Sequence, residues 1–231
     1  MKKFRILSIV AVTVVLLLGT VYIASARGNK NPGVLPPNSR VQGLTYGDWL
    51  AKWWEYALIM PTAQNPLTGG TGENCVFQRI GNVGLVVANS TLDVPIKCEV
   101  PTGMMLYIEV LGAECSNLEG PPFYGGNEAE LLACAQSFVP QDLQASIDGV
   151  EVKNLSNYIF TSPLYEFTEP EDNILGVPAG TTGESIGSGA YLMLVPLSPG
   201  KHTIHVQGTY PDPDPNLVYT ADKTFDLTVK P

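Results

Sequence analysis

Between residues 45 and 61, TYGDWLAKWWEYALIMP, apolar side chains recur at helical spacing. At about 100° per residue, Tyr56, Trp49, Met60, Trp53, Ala57, Leu50, Trp54 and Leu58 fill an arc of roughly 200°. Asp48, Lys52 and Glu55 share the remaining side, with Ile59 the apolar exception. Thr45 followed three residues later by Asp48 has the form of a capping box, and Pro61 ends the pattern. Asp48 precedes Lys52 by one turn, the favourable order for an ion pair along a helix. The segment therefore predicts a helix that buries a broad aromatic face. It carries all three tryptophans of the chain, Trp49, Trp53 and Trp54. The competing expectation is that these form an exposed aromatic surface on which a sugar or a protein stacks.

Beyond residue 74, short apolar runs alternate with turn residues, a β pattern. Strands are predicted over 75–80, 84–88, 94–100 and 104–110. In the last, Leu106, Ile108 and Val110 take one face and Met105, Tyr107 and Glu109 the other, as in a half-buried strand. Asn127 and Glu130 repeat the capping signature and open a short helix running to residue 138. Asp148-Gly149 joins 144–147 to 150–152 as a hairpin. Further strands are predicted over 157–161, 165–167, 191–197, 201–208 and 224–229, the last with Phe225, Leu227 and Val229 inward. Residues 169–188, rich in Gly, Pro and acids, predict a long loop. The sum is a mainly β chain: a two-layer antiparallel β-sandwich, jelly-roll or immunoglobulin-like, with an N-terminal Trp-rich helix and one short second helix. It occupies 44–231 as a single domain.

The N-terminus adds a compartment. Lys2, Lys3 and Arg5 precede an apolar run over 6–23 and the small-residue triplet Ala24-Ser25-Ala26. This predicts a signal peptide over 1–26, cleaved after Ala26; a retained N-terminal membrane anchor is the alternative. Residues 27–43, RGNKNPGVLPPNSRVQG, read as a flexible linker. The 23 Gly and 19 Pro are spread along the chain, so they mark turns rather than disorder. The formal charge is −9. Removing the three basic residues of the leader leaves 10 Lys and Arg against 22 Asp and Glu, or −12. Such an acidic domain disfavours nucleic acid and anionic membranes as partners.

Four cysteines, Cys75, Cys98, Cys115 and Cys134, read as two disulfides in an exported protein. Three connectivities are open; the local pairing Cys75–Cys98 with Cys115–Cys134 is preferred, each bond worth about 3 kcal/mol in the chain-entropy model. No CxxC spacing supports a zinc site.

In order along the chain come the WW-bearing helix, CVFQRIGNVGLVVA, CEVPTGMMLYIEVLGAEC, IDGVEVKNLSNY and LVPLSPGKHTIHVQG. Over residues 44–229 this resembles a family of secreted prokaryotic proteins with a Cys-x-Val-Pro-x-Gly strand start and a Pro-Leu-x-Pro-Gly-Lys-His-x-Ile segment. The resemblance implies an exported, disulfide-bearing domain and brings no established activity. Where that family carries Asp-Gly-Tyr-Trp before the long strand, this chain has Ser188-Gly189-Ala190-Tyr191.

Candidate chemistry is sparse. Residues 183–187 match G-x-S-x-G, but a nucleophile elbow needs a strand before it and a helix after it. Here a Gly/Ser loop precedes a strand. His202 and His205, three apart on a strand, point to opposite faces and cannot share a metal. His202 is expected to pack or cap, and His205 to face solvent or a loop. Asp212, Asp214 and Asn216 alternate oxygen ligands as at the start of a calcium loop, though Pro213 and Pro215 stiffen it. Glu169, Glu171 and Asp172 form a second acidic cluster. Asn89 and Asn154 head glycosylation sequons. No catalytic residue and no cofactor other than this weak Ca²⁺ candidate is assigned. The reading is a secreted or cell-surface, non-catalytic binding or structural module for an extracellular glycan or protein. It has no nucleic-acid partner and touches a membrane only through an uncleaved N-terminal segment. The alternative is a secreted hydrolase using carboxylates such as Glu109, Glu114 or Glu166 in a cleft.

Overall fold

A computed structural model describes residues 31–89, 94–211 and 218–230. The leader over 1–26, the first residues of the linker and the calcium candidates Asp212, Asp214 and Asn216 lie outside the described residues. The Trp helix forms as α1 (Tyr46–Leu58). Its capping box is complete: the Asp48 backbone N–H donates to Thr45 Oγ1 at 3.2 Å, and the Thr45 N–H donates to Asp48 Oδ2 at 2.8 Å. Those bonds hold the Asp48 carboxyl below the usual carboxylate range. The second capping signature is also used. Asn127 caps α2 (Glu128–Ser137), its side chain accepting from the Glu130 N–H.

Eleven strands are formed among the described residues: β1 (Val76–Ile80), β2 (Val83–Val87), β3 (Ile96–Pro101), β4 (Met105–Ser116), β5 (Gln141–Ile147), β6 (Val150–Glu151), β7 (Ile159–Thr161), β8 (Tyr165–Thr168), β9 (Thr182–Leu194), β10 (Gly200–Tyr210) and β11 (Tyr219–Lys230). They make two packed sheets. One runs β1-β2-β4-β9-β7, with β8 also on β9; the other runs β3-β11-β10-β5-β6. The two-layer sandwich with two helices is therefore as the sequence predicts. Most pairs are antiparallel, but each sheet includes one parallel pair, β2 with β4 and β3 with β11. Short turns cannot make parallel neighbours, so an expectation built on hairpin signals did not contain them.

Three other expectations change. First, β4 is not half-buried: both of its faces are covered. Tyr107 donates its hydroxyl to the Tyr46 carbonyl of α1 at 2.8 Å. Leu106 and Ile108 belong to the main core. Second, residues 182–188 are not loop but the first half of β9. Their small side chains hid the strand, and the packing explains the smallness. A Cβ on Gly187 would lie 2.4 Å from Trp54 Cδ1, and one on Gly189 2.5 Å from the Gly112 Cα. The glycines give α1 and β4 room to lie close on β9.

Third, residues 31–43 are not a flexible linker. Val34 is buried and bridges to Leu194, the Leu35 N–H donates to the Met193 carbonyl at 2.9 Å, and the Val195 N–H donates to Gly33 at 2.8 Å. Three apolar residues among the prolines, Val34, Leu35 and Val41, suffice to dock the segment. Trp49 Nε1 donates to the Val41 carbonyl at 3.3 Å and Tyr46 Oη to the Leu35 carbonyl at 2.8 Å, so α1 ties it down as well.

Both disulfides take the preferred pairing, with Cα–Cα separations of 5.4 Å for Cys75–Cys98 and 6.1 Å for Cys115–Cys134. The first joins the start of β1 to β3 and so links the two sheets. The second fastens α2 to β4.

Candidate functional site

The expected aromatic surface on α1 is not a surface. Trp49 and Trp53 are 1% exposed and Trp54 8%. Half-circumference apolarity sent them inward. Trp53 Nε1 donates to the Val86 carbonyl at 2.7 Å. Trp54 alone borders an open space, a cleft of about 440 Å³, within the ~300–1,000 Å³ usual for small-molecule sites.

The cleft draws on elements distant in sequence. Phe123 and Pro122 come from the loop before α2, Phe138 from its C-terminal end, Tyr210 from β10, and Tyr219, Ala221 and Lys223 from β11. Phe123 stacks on Phe138 with centroids 5.0 Å apart, Phe138 meets Tyr210 edge-on at 5.8 Å, and Tyr210 lies over Tyr219 at 6.5 Å. The four rings form one continuous aromatic wall. From β4 come Glu109, Leu111 and Gly112. The register of β4 on β9 shifts between Glu109 and Leu111; a bulge of this kind re-aims a side chain.

The polar groups of the cleft centre on a buried ion pair. Lys223 Nζ lies 2.7 Å from Glu109 Oε2, the side chains 3% and 11% exposed. Tyr191 Oη donates to Glu109 Oε1 at 3.4 Å. Two buried groups bordering the cleft, Tyr210 Oη and Trp54 Nε1, make no hydrogen bond within the protein. Leaving such a group unmatched costs about 1–3 kcal/mol. Burial, reinforced by the nearby Glu109 charge, raises the Tyr210 hydroxyl far above its ordinary range, so it stays a proton donor.

The other candidates fall elsewhere. Of the acids named for a hydrolase, only Glu109 borders this cleft; Glu166 is exposed on β8. Glu114 is buried on β4, where Ser185 Oγ donates to its Oε2 at 2.5 Å and Tyr165 Oη lies 2.8 Å from that Oγ. Burial, then a hydrogen bond with Glu119, pushes the Glu114 carboxyl well above its ordinary value. Ser185 is thus the middle of a strand inside a polar cluster, not an elbow nucleophile. His202 caps as expected, with Nδ1 2.7 Å from Asp148 Oδ2 and Nε2 2.9 Å from the Ser198 carbonyl. His205 is half-exposed and bonds Asp222 at 2.8 Å. No group of three or more potential metal ligands occurs among the described residues. The Asn89 side chain is buried, unsuited to a glycan, whereas Asn154 is exposed.

Sequence reasoning missed Lys223, Tyr210, Tyr219, Phe123 and Phe138. For Lys223 a signal was present. Carrying the inward alternation of Val229, Leu227 and Phe225 two residues further back puts a lysine on the core face. A buried lysine needs a partner acid, and Glu109, inside the apolar run over 104–111, is one such acid.

Glu169 yields a pH prediction. It is 2% exposed, both carboxyl oxygens lack a partner, and burial raises it from 4.5 to about 7. The folded state therefore holds this proton more tightly than the unfolded state. The stabilisation is fully present below pH 4.5 and is lost as pH rises to about 7. A shift of this size is worth up to about 3 kcal/mol. Glu169→Gln is expected to flatten the fall in stability across that window in urea melts and to gain stability at pH 8. An unchanged slope would clear Glu169 of the effect.

Fold and cleft together define a disulfide-stapled β-sandwich with an aromatic pocket between helix α2 and the two sheets. No family model matches the chain, and no curated protein matches it. The solution structure of amebosin aligns over 58% of this chain and 88% of its own, at 12% identity and a TM-score of 0.18. That likeness carries no argument about fold or function.

Proposed function

We propose that this is an exported, non-catalytic binding module whose ligand sits in the aromatic cleft. The observation that carries the reading is a continuous four-ring wall beside a carboxylate, Glu109, already committed to a buried ion pair. Aromatic walls with a few fixed polar groups are what ligand sites are made of. Glycoside hydrolysis by two carboxylates needs a second acid roughly 5–10 Å from the first, and among the described residues that line the cleft Glu109 is the one acid. That favours binding over the hydrolase alternative. Export is supported by the N-terminal basic and apolar pattern and by two disulfides, which persist in oxidising compartments. No helix among the described residues is long and apolar enough to cross a membrane. Cleavage after Ala26 is part of the proposal, and N-terminal sequencing of the secreted protein reads it directly.

A glycan and peptide screen by tryptophan fluorescence tests the binding role. Tyr219 is 43% exposed at the rim, so Tyr219→Ala removes a wall ring at little structural cost. It is expected to weaken cleft ligands about tenfold, as for a loss of ~1.4 kcal/mol, with the melting temperature unchanged. Cleavage of a screened glycan or peptide that disappears in Glu109→Gln would establish the hydrolase instead.

A further inference from the structure

The chemistry of the cleft narrows its occupant, an inference that rests on the cleft being the binding site. We infer that the ligand is a neutral, hydroxyl-rich sugar whose C–H face stacks on the aromatic wall and whose hydroxyls bridge Glu109, Lys223 and Tyr210.

Charge is the first filter. Glu109 and Lys223 neutralise each other at 2.7 Å, so the described residues that line the cleft present no net charge to a ligand. An anion meets the Glu109 carboxylate and a protein of net charge −9. A quaternary ammonium, which aromatic cages otherwise suit, meets the Lys223 ammonium on the floor. A neutral ligand meets neither penalty.

Hydrogen bonding is the second. An ionised carboxylate accepts at about four positions and an ammonium donates three protons. Within the protein, Glu109 accepts from Lys223 and, at 3.4 Å, from Tyr191. The Tyr210 hydroxyl is buried with no protein partner. Acceptor and donor capacity therefore lie side by side. A ligand that completes this site must both donate and accept over a short distance, as adjacent sugar hydroxyls do. A proline-rich peptide, the other common guest of aromatic grooves, has carbonyls to accept but no N–H at proline to offer Glu109. The third filter is shape. Rings at the rim and deep in the cleft form one wall, a surface for the apolar face of a pyranose.

The test is calorimetric titration of the disulfide-bonded protein with cellotetraose, maltotetraose and chitotetraose, and with a proline-rich decapeptide. Saturable binding of at least one sugar is expected. It should weaken about tenfold in Tyr219→Ala and in Tyr210→Phe, which deletes only an unpartnered hydroxyl, with neither variant melting below the parent. Peptide binding that Tyr219→Ala removes, with no sugar binding at about 1 mM, overturns the sugar and leaves the cleft as the site. Sugar binding indifferent to both substitutions overturns the cleft itself. Silence toward sugars and peptide alike overturns the sugar inference.

Discussion

Trp53→Ala is expected to lower the folding stability by about 3–5 kcal/mol, the range for emptying a large buried aromatic site. Trp53 packs α1 onto the first sheet. Its ring packs edge-on against Trp54 at 4.9 Å and against Tyr191 of β9 at 5.6 Å, while its Nε1 donates to β2. Truncation opens a cavity under α1 and removes the indole donor from the Val86 carbonyl. Urea and thermal melts measure the loss, seen thermally as a drop on the order of 10 °C for a domain this size. Trp53→Phe, which keeps most of the packing and loses the donor, should cost a smaller amount, about 1–2 kcal/mol. A loss under about 1 kcal/mol in Trp53→Ala would show that the helix is not anchored through this ring.

Lys223→Met should be as damaging, for an electrostatic reason. It leaves Glu109 buried beside aromatic rings without its counter-charge, and removing one partner of a buried pair costs about 3–5 kcal/mol. The informative variant is the double one. Lys223→Met with Glu109→Leu removes both charges together, and such replacements are neutral or stabilising by about 1–4 kcal/mol. The double variant is therefore expected to fold close to the parent while the single one does not. A double-mutant cycle in urea reads the coupling. If both variants lose the same stability, lysine is held by packing of its stem rather than by the acid. A pair that the fold could do without, yet retains in a cleft, is a pair kept for what enters the cleft.

How much of this was readable from the chain differs by element. The Trp helix was legible to within a residue or two, because its capping box, apolar arc and terminal proline are all local. The hairpin at Asp148-Gly149 was legible for the same reason, and so was β11 as far back as Thr224. The disulfide pairing that forms is the local one preferred from spacing, with two other connectivities open in the sequence. The parallel pairs were not legible, since nothing near β2 or β3 names a partner so far along the chain. The glycine half of β9 was mistaken for loop because its side chains are small to admit Trp54 and Leu50, a requirement set by another element. The docked segment before α1 was masked by its prolines. The cleft was the least legible feature. Its wall is assembled from Phe123, Phe138, Tyr210 and Tyr219, four unremarked aromatics spread over two strands and the flanks of α2. Lys223 alone carried a signal that went unread, a charge on the inward side of an alternating strand.

The central place of β11 also shapes when the protein can fold. That strand lies between β3 and β10, and the Thr102 N–H and hydroxyl both reach the Lys230 carbonyl, 128 residues away along the chain. Until β11 has been made, β3 has no neighbour in its sheet and Glu109 of β4 has no Lys223 to neutralise it. A chain made only as far as β10 therefore cannot close its second sheet, and non-local closure of this kind is slow.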